Sequence, residues 1–134
     1  MNFETETQIS VSIENKLGQL AEISELLTEN NIHIQAISTI GDEMRFICSK
    51  PDTALKVLKN LGYKTSQAEV FSIKLQDSQG RLSSIAQTLA RSNINIDYVY
   101  ATTTENKSSA KLILKVSNIP MARNILEQED LGAA

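Results

Sequence analysis

The pattern of apolar and polar positions occurs twice along this chain. From Ile9 to Gln35, an alternating apolar segment is followed by apolar residues at helical spacing and then by a second alternating segment. The same order begins again at Phe71, and Gly18 aligns with Gly80 at an offset of 62 residues (80 − 18). The aligned apolar positions are Ile9, Val11, Ile13, Leu20, Ile23 and Leu27 in the first copy and Phe71, Ile73, Leu75, Leu82, Ile85 and Leu89 in the second. Self-similarity at a fixed offset indicates an internal repeat of two related units.

A strand, a helix and a β-hairpin are predicted for the first part of each copy. In the first copy, residues 3–13 alternate as a strand that presents its odd-numbered side chains to a core. The spacing of the next apolar residues predicts a helix over 18–29, and Asn30-Asn31 is a suitable stop because asparagine tolerates the left-handed conformation. The two-residue period then resumes, turns at Gly41-Asp42 and returns through Met44–Cys48, which predicts a hairpin.

A second helix and a long strand complete the first copy. Pro51 suits the first turn of this helix, and Gly62 suits the residue after its last turn. Residues 63–76 contain neither glycine nor proline and are predicted to be extended. The predicted inward face of the helix comprises Ala54, Val57, Leu58 and Leu61.

The second copy repeats this plan with a longer hairpin turn. Its predicted elements are strand 71–75, helix 80–91, strand 94–102, a polar turn over 103–109, strand 110–116 and helix 120–128. Each copy therefore follows the order βαββαβ, whose right-handed crossovers place two helices on one face of an antiparallel sheet. We predict an α+β fold of two ferredoxin-like units with antiparallel sheets and with helices on one face.

The predicted domains are residues 1–68 and 69–134. When the second helices are aligned, Leu61-Gly62 corresponds to Leu131-Gly132, so the second unit ends where the first still has its fourth strand. Residues 2–8 precede the first strand of unit one as residues 64–70 precede that of unit two. An antiparallel pairing of these two long segments would let residues 2–8 supply the missing strand, within one chain or by exchange between two chains.

Deletion of residues 1–7 tests this pairing. The truncated chain is expected to aggregate or to melt at a lower temperature, because an unpaired strand edge would be exposed. Circular dichroism melting and light scattering give the measurement. An unchanged melting temperature would contradict the pairing.

Composition and charge exclude several classes of function. The formal net charge is −3 and the pI is near 5.2, which argues against nucleic acid as a partner because phosphate binding relies on clustered lysine and arginine. No apolar run approaches the roughly 20 residues that cross a bilayer, and Met1–Ser10 is too polar for a secretory signal. Cys48 is the single cysteine, so an intrachain disulfide is impossible. We expect a cytoplasmic protein with no membrane partner.

The sequence contains few residues from which a catalytic site could be built. His33 is the single histidine and lies next to apolar residues, which is typical of an ordinary sheet histidine, and Cys48 lies among apolar strand residues as a small buried side chain. There is no metal-binding spacing, phosphate-binding loop or nucleophile elbow. We therefore predict that the chain is not an enzyme and uses neither a metal nor another cofactor.

One strand-to-helix loop occurs in both copies. It reads Asn15-Lys16-Leu17-Gly18-Gln19-Leu20 in the first and Asp77-Ser78-Gln79-Gly80-Arg81-Leu82 in the second. A helix N-terminus carries partial positive charge, and a glycine there lets a carboxylate approach the backbone. The loop therefore suits an anion, with the equally weighted alternative that each glycine only permits a tight turn.

This combination resembles the ACT domain family. The resemblance rests on the strand that ends in Asn or Asp, the glycine loop, the helix that ends near Asn and the Asn-Ile-x-Ile entry to a hairpin, and it covers both units. It implies a regulatory module that binds a small amino acid or related metabolite and acts on an enzyme. Because such domains often work in side-by-side pairs, we also expect a homodimer.

The resemblance also implies where a ligand would bind. Loop residues of one unit would face it together with the polar residue at the start of the second strand of the neighbouring unit, which is His33 in unit one and Asn95 in unit two. The sequence departs from the family pattern at Leu17 and Gln79, where a proline often precedes the loop glycine.

The two implied sites are not equivalent. We favour the site made of Asn15, Gly18, Leu20 and Asn95, because neutral amides and a helix N-terminus suit a zwitterion. The second site, which joins residues 77–82 to His33, places Asp77 where a ligand carboxylate would be repelled, although Arg81 can offset this and an aspartate could equally hold the ammonium group. The alternative reading is that Asn15 and Asn95 only satisfy backbone groups of turns and strand ends.

Two functions follow from these observations. The first is an amino-acid sensor that modulates a separate metabolic enzyme. The alternative is a ligand-free interaction module or regulatory subunit that assembles a larger complex.

Overall fold

The computed structural model of the chain describes residues 3–14, 16–74, 81–102 and 111–132. Ten elements occur in these ranges: β1 (Phe3–Ser12), α1 (Lys16–Glu29), β2 (Ile34–Ile40), β3 (Glu43–Cys48), α2 (Pro51–Asn60), β4 (Thr65–Lys74), α3 (Arg81–Arg91), β5 (Ile96–Thr102), β6 (Lys111–Val116) and α4 (Ile119–Gly132). The order strand, helix, strand, strand, helix, strand occurs as predicted, and the α+β fold of paired ferredoxin-like units is confirmed. The predicted turn over 103–109 lies outside the described residues.

The chain divides into two compact units. The N-terminal unit is Thr7–Ala68, and the C-terminal unit groups Met1–Glu6 with Glu69–Ala134. Strand order in the N-terminal unit is β2-β3-β1-β4, and in the C-terminal unit it is β1-β4-β6-β5. Strands β1 and β4 thus each contribute residues to both units. The domain limits drawn from the sequence, 1–68 and 69–134, stay a prediction.

The core of the N-terminal unit lies between its sheet and helices α1 and α2. Strand β3 pairs antiparallel with both β1 and β2, and the partners Ile9↔Phe46 and Val11↔Met44 place four apolar side chains on one face. Helical spacing brings Ile23 onto the same core. The buried cluster comprises Ile9, Val11, Ile13, Ile23, Leu27, Ile32, Met44, Phe46, Cys48, Ala54 and Leu58.

The C-terminal unit has an equivalent core. Strand β6 pairs antiparallel with β4 and β5, and the partners Phe71↔Leu114 and Ile73↔Leu112 repeat the arrangement of the first unit. The buried cluster comprises Phe71, Ile73, Ile85, Leu89, Ile94, Leu112, Leu114, Val116, Ala122 and Leu126. Burial of these side chains is the main favourable term in the stability of each unit.

The N-terminal residues of β1 are held in the C-terminal unit by packing and by a polar clasp. The Phe3 ring packs edge-on against Phe71 with ring centroids 5.8 Å apart. The Arg123 guanidinium of α4 donates to Thr5 Oγ1 at 3.2 Å and to Glu69 Oε1 at 3.1 Å. These contacts tie the first residues of the chain to strand β4 and helix α4.

Asparagine ends helices α1 and α3 in the same way. Asn31 and Asn93 have φ values of 57° and 59°, in the left-handed region that asparagine tolerates better than most residues. The next residue in each case, Ile32 or Ile94, donates its N–H back to the last helical turn, at Leu27 O and Leu89 O. The predicted stop at Asn30-Asn31 is therefore confirmed.

Several local predictions need correction. Helix α1 begins at Lys16 instead of residue 18, so Gly18 lies inside the first turn, where lysine and leucine before it are better helix formers. Leu61 is 53% exposed because it follows the last residue of α2 and has left the inward face. Strand β5 begins two residues later than predicted, at Ile96, and β2 begins at Ile34, two residues after Ile32, where the alternating period resumes in the sequence.

The alternation of β1 is interrupted where the two units divide. Thr7, predicted to face a core, is exposed, whereas Gln8, predicted on the polar face, is fully buried. Ile47 points away from the helices, because it alternates with the core residues Phe46 and Cys48 along β3, and it is buried all the same. The sheet surface away from the helices is therefore not uniformly open to solvent.

Replacement of Phe3 by alanine tests the anchoring of the first strand. Phe3→Ala is expected to lower the free energy of unfolding by about 2 kcal/mol, because a half-buried aromatic side chain and its contact with Phe71 are lost. Urea denaturation gives the measurement, and Glu4→Ala, at an exposed position of the same strand, is the control. Equal stabilities of the Phe3 and Glu4 variants would contradict the anchoring.

Candidate functional site

The first turn of helix α1 is the described part of the predicted ligand loop. Gly18 is exposed and Leu17 is 87% exposed, whereas Leu20 is half-buried and packs against the core of its unit. Gln19 is half-buried between them. The positive end of the helix dipole lies here, so the turn presents a partial positive charge beside an exposed apolar side chain.

The residues that precede β2 and β5 are held by matching backbone clasps. The N–H of His33 donates to Ser49 Oγ at 3.0 Å, and the N–H of Ser49 donates back to His33 O at 3.0 Å. In the other unit, the N–H of Asn95 donates to Ser117 Oγ at 3.0 Å, and the N–H of Ser117 donates to Asn95 O at 2.9 Å. Because the backbone of His33 and Asn95 is fixed in this way, both exposed side chains start from defined positions.

The side chain of Asn95 belongs to a polar cluster that the sequence reasoning missed. Its amide nitrogen donates to Asp97 Oδ1 at 2.8 Å, and Lys115 Nζ lies 3.3 Å from Asp97 Oδ2. The hydrogen bond from Asn95 lowers the pKa of the Asp97 carboxyl group, and the hydrogen bond from Lys115 makes a smaller contribution in the same direction. The cluster therefore offers an ionised carboxylate and an ammonium group within a few ångströms of Asn95.

The equivalent place in the N-terminal unit has no such pair. Alignment of the strands and of the two serine clasps matches Asp97 with Gln35 and Lys115 with Ile47. His33 therefore stands beside an amide and an apolar residue where Asn95 stands beside a carboxylate and an ammonium group. The signal available in the sequence was the aspartate two residues after Asn95, but its lysine partner lies on another strand.

Other predicted site residues are described in part or not at all. Asn15, Asp77 and Gly80 lie outside the described residues. Arg81 begins helix α3, and Leu82 in the first turn of this helix is 45% exposed. The union of a loop of one unit with the strand start of the other stays a prediction.

Within the described ranges, no three histidine, cysteine, aspartate or glutamate side chains are grouped to hold a metal ion. Cys48 is buried, and burial raises the pKa of its thiol, which keeps the sulfur protonated and a poor nucleophile. None of the described helices combines the length and apolar character of a membrane span.

Solved structures resemble the chain along nearly its whole length. Protein BT0572 from Bacteroides thetaiotaomicron is 27% identical with a TM-score of 0.86, over 97% of this chain and 92% of that one. The ligand-free regulatory subunit of aspartate kinase from Thermus thermophilus is 17% identical with a TM-score of 0.63, over 96% and 97%. Aspartokinase III from E. coli, in complex with lysine and aspartate, is 15% identical with a TM-score of 0.58, over 94% of this chain and 31% of that one.

The sequence matches one family of proteins. No curated protein matches the chain. The family model of the ACT domain pair matches residues 4–133, which includes both copies of the repeat and all ten elements apart from Phe3, the first residue of β1. The repeated βαββαβ order, the asparagine-stopped helices and this match lead to one conclusion: the chain belongs to the ACT domain pair family.

Proposed function

We propose that this protein is a regulatory module that binds a small amino acid and modulates a separate metabolic enzyme, without catalysing a reaction itself. The observation that carries the proposal is the ACT domain pair that spans residues 4–133. It is supported by the regulatory subunit of aspartate kinase, which shares the fold over 96% of this chain. The proposed place of action is the cytoplasm, where the single cysteine would stay reduced.

The proposed ligand site is the first turn of α1 together with the start of β5. A zwitterionic amino acid needs a donor for its carboxylate and an acceptor for its ammonium group. The helix N-terminus that contains Gly18 suits the carboxylate, and Asp97 beside Asn95 suits the ammonium group. This chemistry supports Asn15, Gly18, Leu20 and Asn95 over the set that contains His33. The turn and the strand start would come from one chain or from two chains of a homodimer.

A thermal-shift screen of the twenty amino acids tests the proposal. A true ligand present at about 100 times its Kd adds about 2.7 kcal/mol to the free energy of unfolding, a rise in Tm on the order of 10 °C for a domain of this size. Ligand that binds only the native state gives this shift by mass action. An absence of any shift across the panel, at concentrations up to solubility, would contradict amino-acid sensing.

Calorimetry with the amino acid found in that screen tests the proposed residues. Asn15→Ala and Asn95→Ala are each expected to weaken binding by about 1–3 kcal/mol, because each leaves a buried polar group of the ligand without its partner. His33→Ala is the matched control at the equivalent strand start and is expected to have a smaller effect. Loss of binding in the His33 variant with retention in the Asn95 variant would assign the ligand to the other site.

Ligand-free assembly is the second candidate function, and the edge strands favour it. Strands β2 and β5 are the outermost strands of their units, and each exposes an apolar side chain on the helix-facing side. Ile37 is 45% exposed and the equivalent Val99 is 43% exposed. An edge strand of this kind can pair with an edge strand of a second copy of the chain. In ligand-free assembly, this pairing would occur without any bound amino acid.

A further inference from the structure

A groove in the N-terminal unit combines apolar and acidic side chains. It has a volume of about 420 Å³ and runs along helix α1 beside the end of α2. Leu26 and Leu61 provide its apolar surface, and Leu61 is 53% exposed. Three exposed carboxylates line it as well, from Glu22, Glu25 and Glu29.

The three glutamates disfavour the helix that carries them. Side chains three or four residues apart are neighbours on a helix, so Glu25 is next to both Glu22 and Glu29, and like charges at these spacings repel. Glu29 is the last residue of α1, where the negative end of the helix dipole opposes a carboxylate. In the described part of the chain, the ion pairs involve Glu43, Asp97 and Glu69, and none neutralises a groove carboxylate. The repulsion is therefore not relieved within the described unit.

The second copy of the repeat shows that the fold does not require these charges. At the same offset, Glu22, Glu25, Leu26 and Glu29 correspond to Ser84, Gln87, Thr88 and Arg91. Arg91 in the last turn of α3 is favourable to the helix dipole, the opposite of Glu29. The core positions of the two helices, such as Ile23 and Ile85, stay apolar in both copies. The acidic apolar face is thus particular to α1.

One of the carboxylates is held in place by a tyrosine. The Tyr63 hydroxyl donates to Glu22 Oε1, and Tyr63 itself packs against the core of the unit. Burial, together with the Glu22 carboxylate, raises the pKa of Tyr63 to about 12, so the hydroxyl remains a donor at neutral pH. Glu22 is therefore fixed at the groove by a contact that joins α1 to the segment after α2.

We infer that this groove is a docking surface for a basic, amphipathic segment of a partner protein. Lysine or arginine side chains of the partner would lie against Glu22, Glu25 and Glu29, and an apolar side chain would cover Leu61 and Leu26. Charge complementarity selects this occupant, because cations would relieve the repulsion along α1. A small cation is a poorer candidate than a protein segment. Sites for small ligands bury most of the ligand surface, and this groove is too open to do so. The inference rests on the proposed function in one respect: the partner is the regulated enzyme.

The first arm of the test measures how much the unfavourable charge of Glu29 lowers the Tm of the free protein. Glu29→Arg is expected to raise the Tm by a few degrees, and the matched reversal in the other unit, Arg91→Glu, is expected to lower it. A lower Tm for Glu29→Arg would show that the carboxylate already has a stabilising partner, which would overturn the inference.

The second arm measures docking on the full chain. The probe is a fluorescein-labelled peptide of lysine and leucine with leucines at helical spacing, as long as α1 at 14 residues. Fluorescence anisotropy is expected to show binding that weakens about tenfold or more in the triple variant Glu22→Gln/Glu25→Gln/Glu29→Gln and at high salt. The charge-matched control is Glu4→Gln/Asp52→Asn/Glu127→Gln, three exposed carboxylates elsewhere, which is expected to bind as the unmodified chain does.

Control peptides distinguish specific docking from non-specific electrostatic binding. Peptides in which glutamine replaces lysine, or serine replaces leucine, are expected to bind at least tenfold more weakly. Amide chemical-shift changes on addition of the peptide are expected on α1 and near Leu61. Equal loss in the control variant, shift changes elsewhere, no binding, or spermidine binding as tight as the peptide would each overturn the inference. The thermal-shift screen with amino acids does not involve the groove. A negative screen would therefore contradict amino-acid sensing alone, and a negative peptide experiment would contradict docking alone.

Discussion

Strand β1 supplies apolar side chains to both hydrophobic cores, and the rest of the structure depends on this. Phe3 packs in the C-terminal cluster, whereas Ile9 and Val11 pack in the N-terminal cluster, all from one strand of ten residues. Since successive side chains of a strand point to opposite faces, a slip of one residue would turn both sets away from their cores. The register of β1 is therefore held at both of its ends.

The two copies agree where they build the fold and differ where they can do chemistry. The helix stops at Asn31 and Asn93 make the same hydrogen bonds, and so do the serine clasps at His33 and Asn95. Their neighbours differ, because an aspartate and a lysine beside Asn95 replace Gln35 and Ile47. A duplicated unit that keeps its core apolar can vary its surface, since surface substitutions cost little stability. The proposed docking groove lies in a part that varies, and the proposed ligand site combines a loop glycine and leucine found in both copies with a strand start that varies.

Helix α1 connects the two proposed activities. Its first turn belongs to the proposed ligand site and its acidic face to the proposed docking groove, along a single hydrogen-bonded element of 14 residues. A ligand that orders or shifts the first turn would act on the same rigid body that carries the glutamates. Coupling between two sites requires an element that both ligands bias, and in this proposal α1 is that element.

The sequence by itself determined the repeat, the order of the elements and most of both cores. These features are local: helical or two-residue spacing decides which side chains share a face, and asparagine or glycine decides where a helix stops. Composition and resemblance also indicated the class of function, which the family match of residues 4–133 supports. Helix ends were less well determined, as the start of α1 at Lys16 shows, because propensities of neighbouring residues differ little there.

Only the tertiary structure decided the features that depend on residues far apart in the chain. The pair of Asp97 and Lys115, the clasp of Arg123 on Thr5 and the bond from Tyr63 to Glu22 join residues 18, 118 and 41 positions apart. The burial of Gln8 and Ile47, on faces that alternation assigns away from the helices, is of the same kind. The periodicity of apolar residues shows which side chains of one helix or strand share a face. A partner brought in by the fold leaves no periodic trace, so its contribution is visible only in three dimensions.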